Sequence, residues 1–455
     1  MRSTLALSEP LWAELTEALA DPLERAGILV GNWIIDERGS TFLAQAVYWS
    51  PEEAYEARSA THLDLRSTGW VPAARAAMRE GKDAAFIHTH PGGFAEFSGR
   101  DDVVDSLIGP ELRSMSKRDH HLSVVVAGSQ TKPAISARTV PAEGTFKPVG
   151  AIRIAGQGLR ILLGADDYTI NPSSERQVRL LGKEGQRVLE TLRVGVVGGG
   201  GTGSAVCEQL LRLGVGEIVL IDDDIVTSTT VRRGYGSAPV DVGKLKTEVI
   251  GNLACRLDGD TVLTEIPQNI RQIEAAKMLR HCDVIMGCTD GHSSRIVLNR
   301  AAYFHLAPLI DMGVLVQAAS DDGFVEIVGR VTWVSPCAAC LLCRQRVDPA
   351  IAQAESLDPE ERRELAAQRY IPDLDEPAPS LVPYTTLVAA YAVSELLNRL
   401  FGFADTVASE IVVRPTARDA RLNTRKSRPG CFCSEPAKWG SGVREPYLDL
   451  LWPQP

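Results

Sequence analysis

Two histidines in the segment His88-Thr89-His90-Pro91 end the apolar stretch DAAFIH, which reads as a buried strand. Side chains alternate along a strand, so His88 and His90 can project to one side as two neutral imidazole ligands. Ser98 and Asp101 follow a Gly-containing loop, and Asp101 can supply a third protein ligand, leaving the fourth position of a tetrahedral zinc for water. Glu24, at the head of another apolar strand, is a carboxylate able to take the proton of a metal-bound water, whose pKa falls to about 7. This combination is hydrolytic. A second combination begins at VVGGGGTGS, where Gly198, Gly200 and Gly203 stand between a strand and a helix and Asp222 closes the next strand. Glycines in such a loop, Gly201 among them, let backbone N–H groups approach a phosphate at a helix N-terminus, while the acidic residue binds a ribose hydroxyl. NAD and ATP both satisfy that pattern. Asp224, Arg233 in TTVRRGYG, Lys246 in DVGKLK and Asp290 in GCTDGHSSR favour ATP with Mg²⁺. Arg and Lys can hold phosphates and a carboxylate at a strand end can hold the metal, whereas hydride transfer needs none of these.

The elements that must position these residues fall into two sets. An amphipathic helix, EPLWAELTEALAD, precedes the strands AGILVGNWII and FLAQAVYW; the helical segment VPAARAAMREG leads into DAAFIH; and HLSVVVAG and PAISARTV supply further strands. This is an α+β unit. After the strands VGAIRIAG and LRILLG, the polar run ADDYTINPSSE marks a boundary, giving domains 1–165 and 166–455. Beyond it, strand RVGVVG, the Gly-rich turn, helix SAVCEQLLRLG and strand EIVLIDDD form a βαβ unit, continued by DVIMGCT, SSRIVLNRAAYF and APLIDMGV. A mostly parallel, Rossmann-like sheet is expected there. Residues 344–382, rich in Glu, Arg, Asp and Pro, read as an excursion over the surface.

The run HTHPGGFAEFSGRD resembles the His-x-His-Pro, Ser and Asp pattern of the JAB/MPN (JAMM) metalloproteases, over roughly residues 9–145. The resemblance implies that His88, His90 and Asp101 bind a catalytic zinc, that Ser98 orients or stabilises the reacting oxygen, and that Glu24 in ERAGILVG is the general acid/base. It also implies an (iso)peptidase acting on ubiquitin-like proteins. Residues 172–433 resemble the ThiF/MoeB adenylyltransferases and the related ubiquitin-activating enzymes. By that resemblance the Gly198–Gly203 loop cradles phosphate, Asp222 binds ribose, Arg233 and Lys246 contact phosphates, and Asp290 organises Mg²⁺. Arg176 in ERQVRLLGKEGQ matches an arginine that reaches the ATP of a partner subunit, which implies a homodimer. Thr230 stands where those families usually have Asn.

None of the nine cysteines precedes Cys207, and five fall at Cys337, Cys340, Cys343, Cys431 and Cys433. Close pairs in a chain of this kind point to metal before disulfide. Cys337 and Cys340 with Cys431 and Cys433 can offer four thiolates to a structural zinc, as in the zinc knot of the resembled family, leaving Cys343 over. Apolar content of 44% and charged content of 23% are globular, and no apolar run approaches the roughly 18 residues of a membrane span. The 48 basic residues are dispersed and the net charge is −10, which disfavours nucleic acid as a partner. The start, MRSTLALSEPLW, does not read as a secretory signal, so a cytoplasmic location is expected.

The reading is a fusion of a zinc hydrolase with an enzyme that adenylates the terminal carboxylate of a small ubiquitin-like, β-grasp protein, with an E2-like or sulfurtransferase protein downstream. Its rivals are activation of a sulfur carrier for thiocarboxylate formation, a scaffold with degenerate sites, and an NAD dehydrogenase. Pyrophosphate exchange separates the enzymes from the scaffold, and nicotinamide binding without ATP binding marks the dehydrogenase.

Overall fold

A computed structural model describes residues 2–164, 168–257, 259–318, 325–368, 379–404 and 408–452. The chain divides into two compact units: Met1–Gly156 with Arg160–Asp166 and Pro436–Val443, and Gln157–Leu159 with Asp167–Glu435 and Arg444–Pro455. The sequence holds no signal that Pro436–Val443 returns to the first unit, where Gln45 Nε2 donates to the Trp439 carbonyl at 2.9 Å. Part of the expected boundary, residues 165–167, lies outside the described residues, as do residues 369–378 of the expected excursion.

The first unit is built on a nine-stranded mixed sheet. At its centre Ala26–Asp36 pairs antiparallel with both Gly39–Trp49 and Asp83–Pro91, and Asp83–Pro91 runs parallel to His120–Ser129. Both faces are covered, which is why these strands read as continuous apolar runs. Leu29, Ala85, Ile87 and Val124 belong to one core with Trp12 and Leu15 of the helix Glu9–Glu17. Ile28, Val30, Ala84 and Phe86 belong to another with Ala74 and Leu112, from the helices Val71–Arg79 and Gly99–Ser116. His88 and His90 continue the second set, so they face the helix that begins beside Asp101.

Among the elements of the first unit that escape the sequence reading, two bear on the site and the sheet. The strand Arg2–Ser8 lies parallel to Gly39–Trp49, and Ser8 also caps the helix Glu9–Glu17, its Oγ accepting from Leu11 N. The helix Gly99–Ser116 is the crossover between the parallel strands Asp83–Pro91 and His120–Ser129; Gly109 and Pro110 interrupt its periodicity and hide it. It is held by Arg138 on the strand Lys132–Pro141, which contacts Asp105 at 2.6 Å and Asp102 at 2.6 Å and lies over the Phe97 ring at 4.0 Å.

The second unit carries an eight-stranded sheet whose first five strands are parallel and last three antiparallel. The parallel part runs Val262–Ile266, Glu217–Ile221, Arg193–Val197, Val284–Gly287, Leu309–Ala318. Chain order therefore reverses between Arg193–Val197 and Val284–Gly287, the switch point where such sheets bind ligands beyond the strand ends. The supposed surface excursion is partly packed: Ala352 and Ala354 of the helix Pro349–Ala354 are buried, and Glu355 binds Ser293 N at 2.7 Å. Its polar composition misleads because those charges satisfy a helix end rather than water.

Asp105 is 1% exposed, so Arg138→Ala strands its carboxylate away from water. Thermal unfolding followed by calorimetry should show the first unit destabilised by about 3 kcal/mol, with the second unit's transition unmoved.

Candidate active sites and a thiolate cluster

Thr89 points away from His88 and His90 and ties the Glu24 segment to their strand: Arg25 N donates to Thr89 Oγ1 at 2.9 Å and Thr89 N to the Arg25 carbonyl at 2.8 Å. Ser98 then caps the crossover helix in a reciprocal box, its Oγ accepting from Asp101 N at 3.3 Å while Asp101 Oδ2 accepts from Ser98 N at 2.6 Å. The other oxygen of Asp101 lies 3.1 Å from His88 Nε2, which is itself 3.1 Å from His90 Nε2. Glu24 Oε1 stands 3.9 Å from His90 Nε2. Strand, helix N-terminus and the Glu24 loop thus converge on one cleft of about 350 Å³, whose other walls include Phe86, Phe97 and Val104.

The donor set fits zinc. His90 Nδ1 meets the Phe94 carbonyl at 3.1 Å, an acceptor only, so that nitrogen carries the proton and Nε2 turns its lone pair to the cluster. Bonds of about 2.0–2.1 Å at a tetrahedral centre separate two nitrogens by about 3.3–3.4 Å, close to the spacing of the two Nε2 atoms. Burial pushes the Glu24 carboxyl up, His90 opposing and Asp101 reinforcing the shift. Burial alone would raise Asp101 too, but the hydrogen bond and charge of His88, with the Ser98 contacts, outweigh it and hold this carboxyl well below the usual range.

At the switch point of the second unit, the Gly-rich turn is dictated by close approach. A Cβ on Gly203 would lie 1.7 Å from the Gly198 carbonyl oxygen, and Gly198 itself has φ +99° and abuts the Cys288 carbonyl. Gly200 then begins the helix Gly201–Leu213 with no side-chain cap, leaving its first N–H groups to a ligand. Asp222 Oδ2 accepts from Gly199 N at 2.6 Å and Oδ1 from Asp224 N at 2.9 Å, while Lys246 Nζ binds Asp224 at 2.6 Å and lies 3.8 Å from Asp222. Burial pushes the Asp222 carboxyl up against the pull of Lys246 and of these amides. A Cβ on Gly201 would meet the Arg233 backbone at 3.3 Å, and Arg233 Nε is enclosed with no hydrogen-bond partner among the described residues. Asp290 follows Cys288 and Thr289, whose backbones abut Gly198. The Gly loop, Asp222, Asp224, Arg233, Lys246 and Asp290 are therefore neighbours. Arg176 is exposed on the first turn of the helix Glu175–Thr191, and none of these contacts involves it. Thr230 is buried and caps a short helix reciprocally with Thr227.

The family model described as the ThiF family matches residues 174–432, more than half of the chain. The chain belongs to the ThiF family. Residues 9–140 match the model for prokaryotic homologs of the JAB domain. Among curated proteins, the chain is 28% identical to the SAMP-activating enzyme E1 of Haloferax volcanii over 36% of this chain and 57% of that one. It is 28% identical to the molybdopterin-synthase adenylyltransferase of Escherichia coli, over 36% of this chain and 66% of that one. Against the sulfur carrier protein ThiS adenylyltransferase of Escherichia coli the identity is 29%, over 36% and 65%. The chain thus spans less than two thirds of the length of each of these relatives.

In this ThiF-family chain the cluster of four cysteines departs from the sequence reading. Cys340, Cys343, Cys431 and Cys433 come together, their sulfurs within 4.8 Å of one another, and Cys337 stands outside, exposed and with φ +76°. Cys337-x-x-Cys340 and Cys340-x-x-Cys343 have equal spacing, so only the turn at Cys337, which aims it elsewhere, decides between them. Cys340 Sγ lies 3.6 Å from Cys431 Sγ, and Cys343 Sγ 3.6 Å from Cys433 Sγ. That is too long for a disulfide and close to the roughly 3.8 Å that four Zn–S bonds of about 2.3 Å impose. Arg428 N, 3.2 Å from Cys343 Sγ, can donate to a thiolate there. Cys343, Arg138 and Thr89 are the functional or positioning residues that spacing alone does not reveal.

Cys343→Ser should lose one equivalent of zinc per chain by elemental analysis, whereas Cys337→Ser should keep the wild-type content.

Proposed function

We propose that the second unit adenylates the C-terminal carboxylate of a small ubiquitin-like or sulfur-carrier protein and that the first unit is a zinc (iso)peptidase acting on the same class of protein. The observation that carries the adenylation half is the uncapped Gly201 helix start ringed by Asp222, Arg233, Lys246 and Asp290 at the switch point of a ThiF-family sheet. The names of the relatives, all activating enzymes or adenylyltransferases, support it. In the reaction a carboxylate oxygen attacks the α-phosphorus of ATP, the bond to the β-phosphate oxygen breaks, and pyrophosphate leaves. Gly-loop amides, Arg233 and Lys246 would neutralise phosphate charge, Asp222 would take the ribose and Asp290 would hold Mg²⁺. Lys246 must exchange its contact with Asp224 for phosphate when ATP arrives.

In the first unit His88, His90 and Asp101 would hold zinc, which when bound supplies a Lewis acid and a water of lowered pKa. Glu24, whose carboxyl burial pushes up, would be the group placed to take a proton from such a water, and Ser98 lies at the rim of the same cleft. Arg176 would act across the interface of a homodimer. The sulfur-carrier reading gains from the cysteines: the sequence has none from Arg344 to Gly430, and Cys343, the nearest thiol, is engaged in the cluster. An adenylate formed here passes to an external acceptor, a sulfurtransferase or an E2-like protein, rather than to a thiol between the cysteine pairs.

ATP–pyrophosphate exchange with carriers ending in Gly-Gly, and peptide release from C-terminally extended carriers, test both halves. Asp290→Ala should cut exchange at least a hundredfold and spare release, and Glu24→Ala the reverse. Absence of exchange in the folded wild type with every such carrier would overturn the adenylation reading.

A further inference from the structure

Beyond the groups around the Gly loop, a second charged assembly lies in the same unit. Asp311, in the strand Leu309–Ala318, is fully buried and holds two guanidiniums: Arg295 Nε at 3.2 Å and Arg330 Nη2 at 2.9 Å. Arg295 stands on the first turn of the helix His292–Phe304 and reaches the Asp290 carbonyl with Nη1 at 3.4 Å. Arg330 lies opposite Gly313 on the neighbouring antiparallel strand, and a Cβ on Gly313 would meet Arg295 Nη2 at 3.1 Å and Arg330 Nη2 at 3.9 Å. The two cations therefore face one another over a position without a side chain.

One carboxylate does not balance two guanidiniums. Arg346, the next cation, is already paired with Glu410 through two 2.8 Å bonds, and Glu355 is committed to His292 N, Ser293 N and Ser293 Oγ. The Asp348 carboxylate accepts from Ala350 N, and burial pushes the neighbouring His292 down, its Nδ1 accepting from Asp348 N. Arg330 Nε, in a side chain 18% exposed, has no hydrogen-bond partner among the described residues. An unspent buried donor beside a charge that no carboxylate among the described residues balances is costly unless an acceptor on a ligand completes it.

Sheet order says which ligand. The strand feeding the Gly loop, the strand before Asp290, the strand of Asp311 and the strand of Arg330 are successive neighbours. At about 4.8 Å per strand, Arg330 belongs to a strand about 14 Å from the one that serves the phosphates. On the adenylation reading the nucleotide lies over the strands that lead to the Gly loop and Asp290, and Arg330 stands on a strand beyond them, on the side left to the second substrate.

We propose that Arg295 and Arg330, tied together by Asp311, are the seat for the carboxylate-bearing tail of the protein to be adenylated. This rests on the adenylation reading above. Arg295 leads the terminal carboxylate toward Asp290, and Arg330 engages the tail behind it.

The test is binding, by fluorescence anisotropy, of a labelled small β-grasp carrier ending in Gly-Gly and of the same carrier lacking those two residues. Wild type should bind the intact carrier at least tenfold more tightly. Arg330→Gln, which can still donate to Asp311, should bind both alike, at the truncated carrier's affinity, with ATP affinity by calorimetry within twofold of wild type and an unchanged melting temperature. Arg330→Lys should regain part of the discrimination. If Arg330→Gln discriminates as wild type does, weakens ATP binding, or weakens both carriers equally, or if wild type does not discriminate, the seat is wrong. If wild type discriminates yet catalyses no exchange, the seat stands and the adenylation reading fails.

Discussion

The first backbone N–H groups of a helix have no partner inside it, and both sites are organised by how the chain answers that deficit. At Gly99–Ser116 the answer is local: Ser98 and Asp101 cap each other's amides, and the oxygen of Asp101 left over meets His88. A helix cap therefore sets the position of a candidate metal ligand. At Gly201–Leu213 no side chain answers, because Gly200 has none, and the first amides are left open to an anion. At His292–Phe304 the answer comes from Glu355, which accepts from His292 N and Ser293 N. That carboxylate keeps the helix beside Asp290 supplied without a phosphate and ties the segment after the cysteine turn to the switch point.

Placement at the carboxyl ends of parallel strands follows from the same geometry. A parallel strand must be followed by a crossover, and the crossover's helix starts where the strand ends. His88 and His90 end one strand and Asp101 starts its crossover; the Gly loop and Asp290 do the same on either side of the switch point. Buried ion pairs then make the arrangement stiff: Arg138 with Asp105 in the first unit, Arg295 and Arg330 with Asp311 in the second. Such pairs contribute less to net stability than to fixing where helices lie, since breaking one leaves a charge without water or partner.

Periodicity and composition were enough for the α+β character of the first unit, the mostly parallel sheet of the second, and the groups His88, His90, Asp101 and Gly198 to Gly203, because their spacing is short and their chemistry is carried by residue type. Local patterning also placed Asp222 and Asp290 at strand ends. The sequence did not reveal the strand Arg2–Ser8, whose pairing partners are distant in the chain, or the helix Gly99–Ser116, whose periodicity Gly109 and Pro110 break. It also assigned Cys337 where Cys343 belongs, since three cysteines at equal intervals offer two identical frames and the choice depends on a turn with positive φ. Asp311 with Arg330, and Arg138 with Asp105, are 19 and 33 residues apart. Residue type and short spacing thus determined which side chains gather at the two candidate sites, whereas the partners that orient them were decided by tertiary structure, because strand register and helix packing, not sequence neighbourhood, set the distance between those charges.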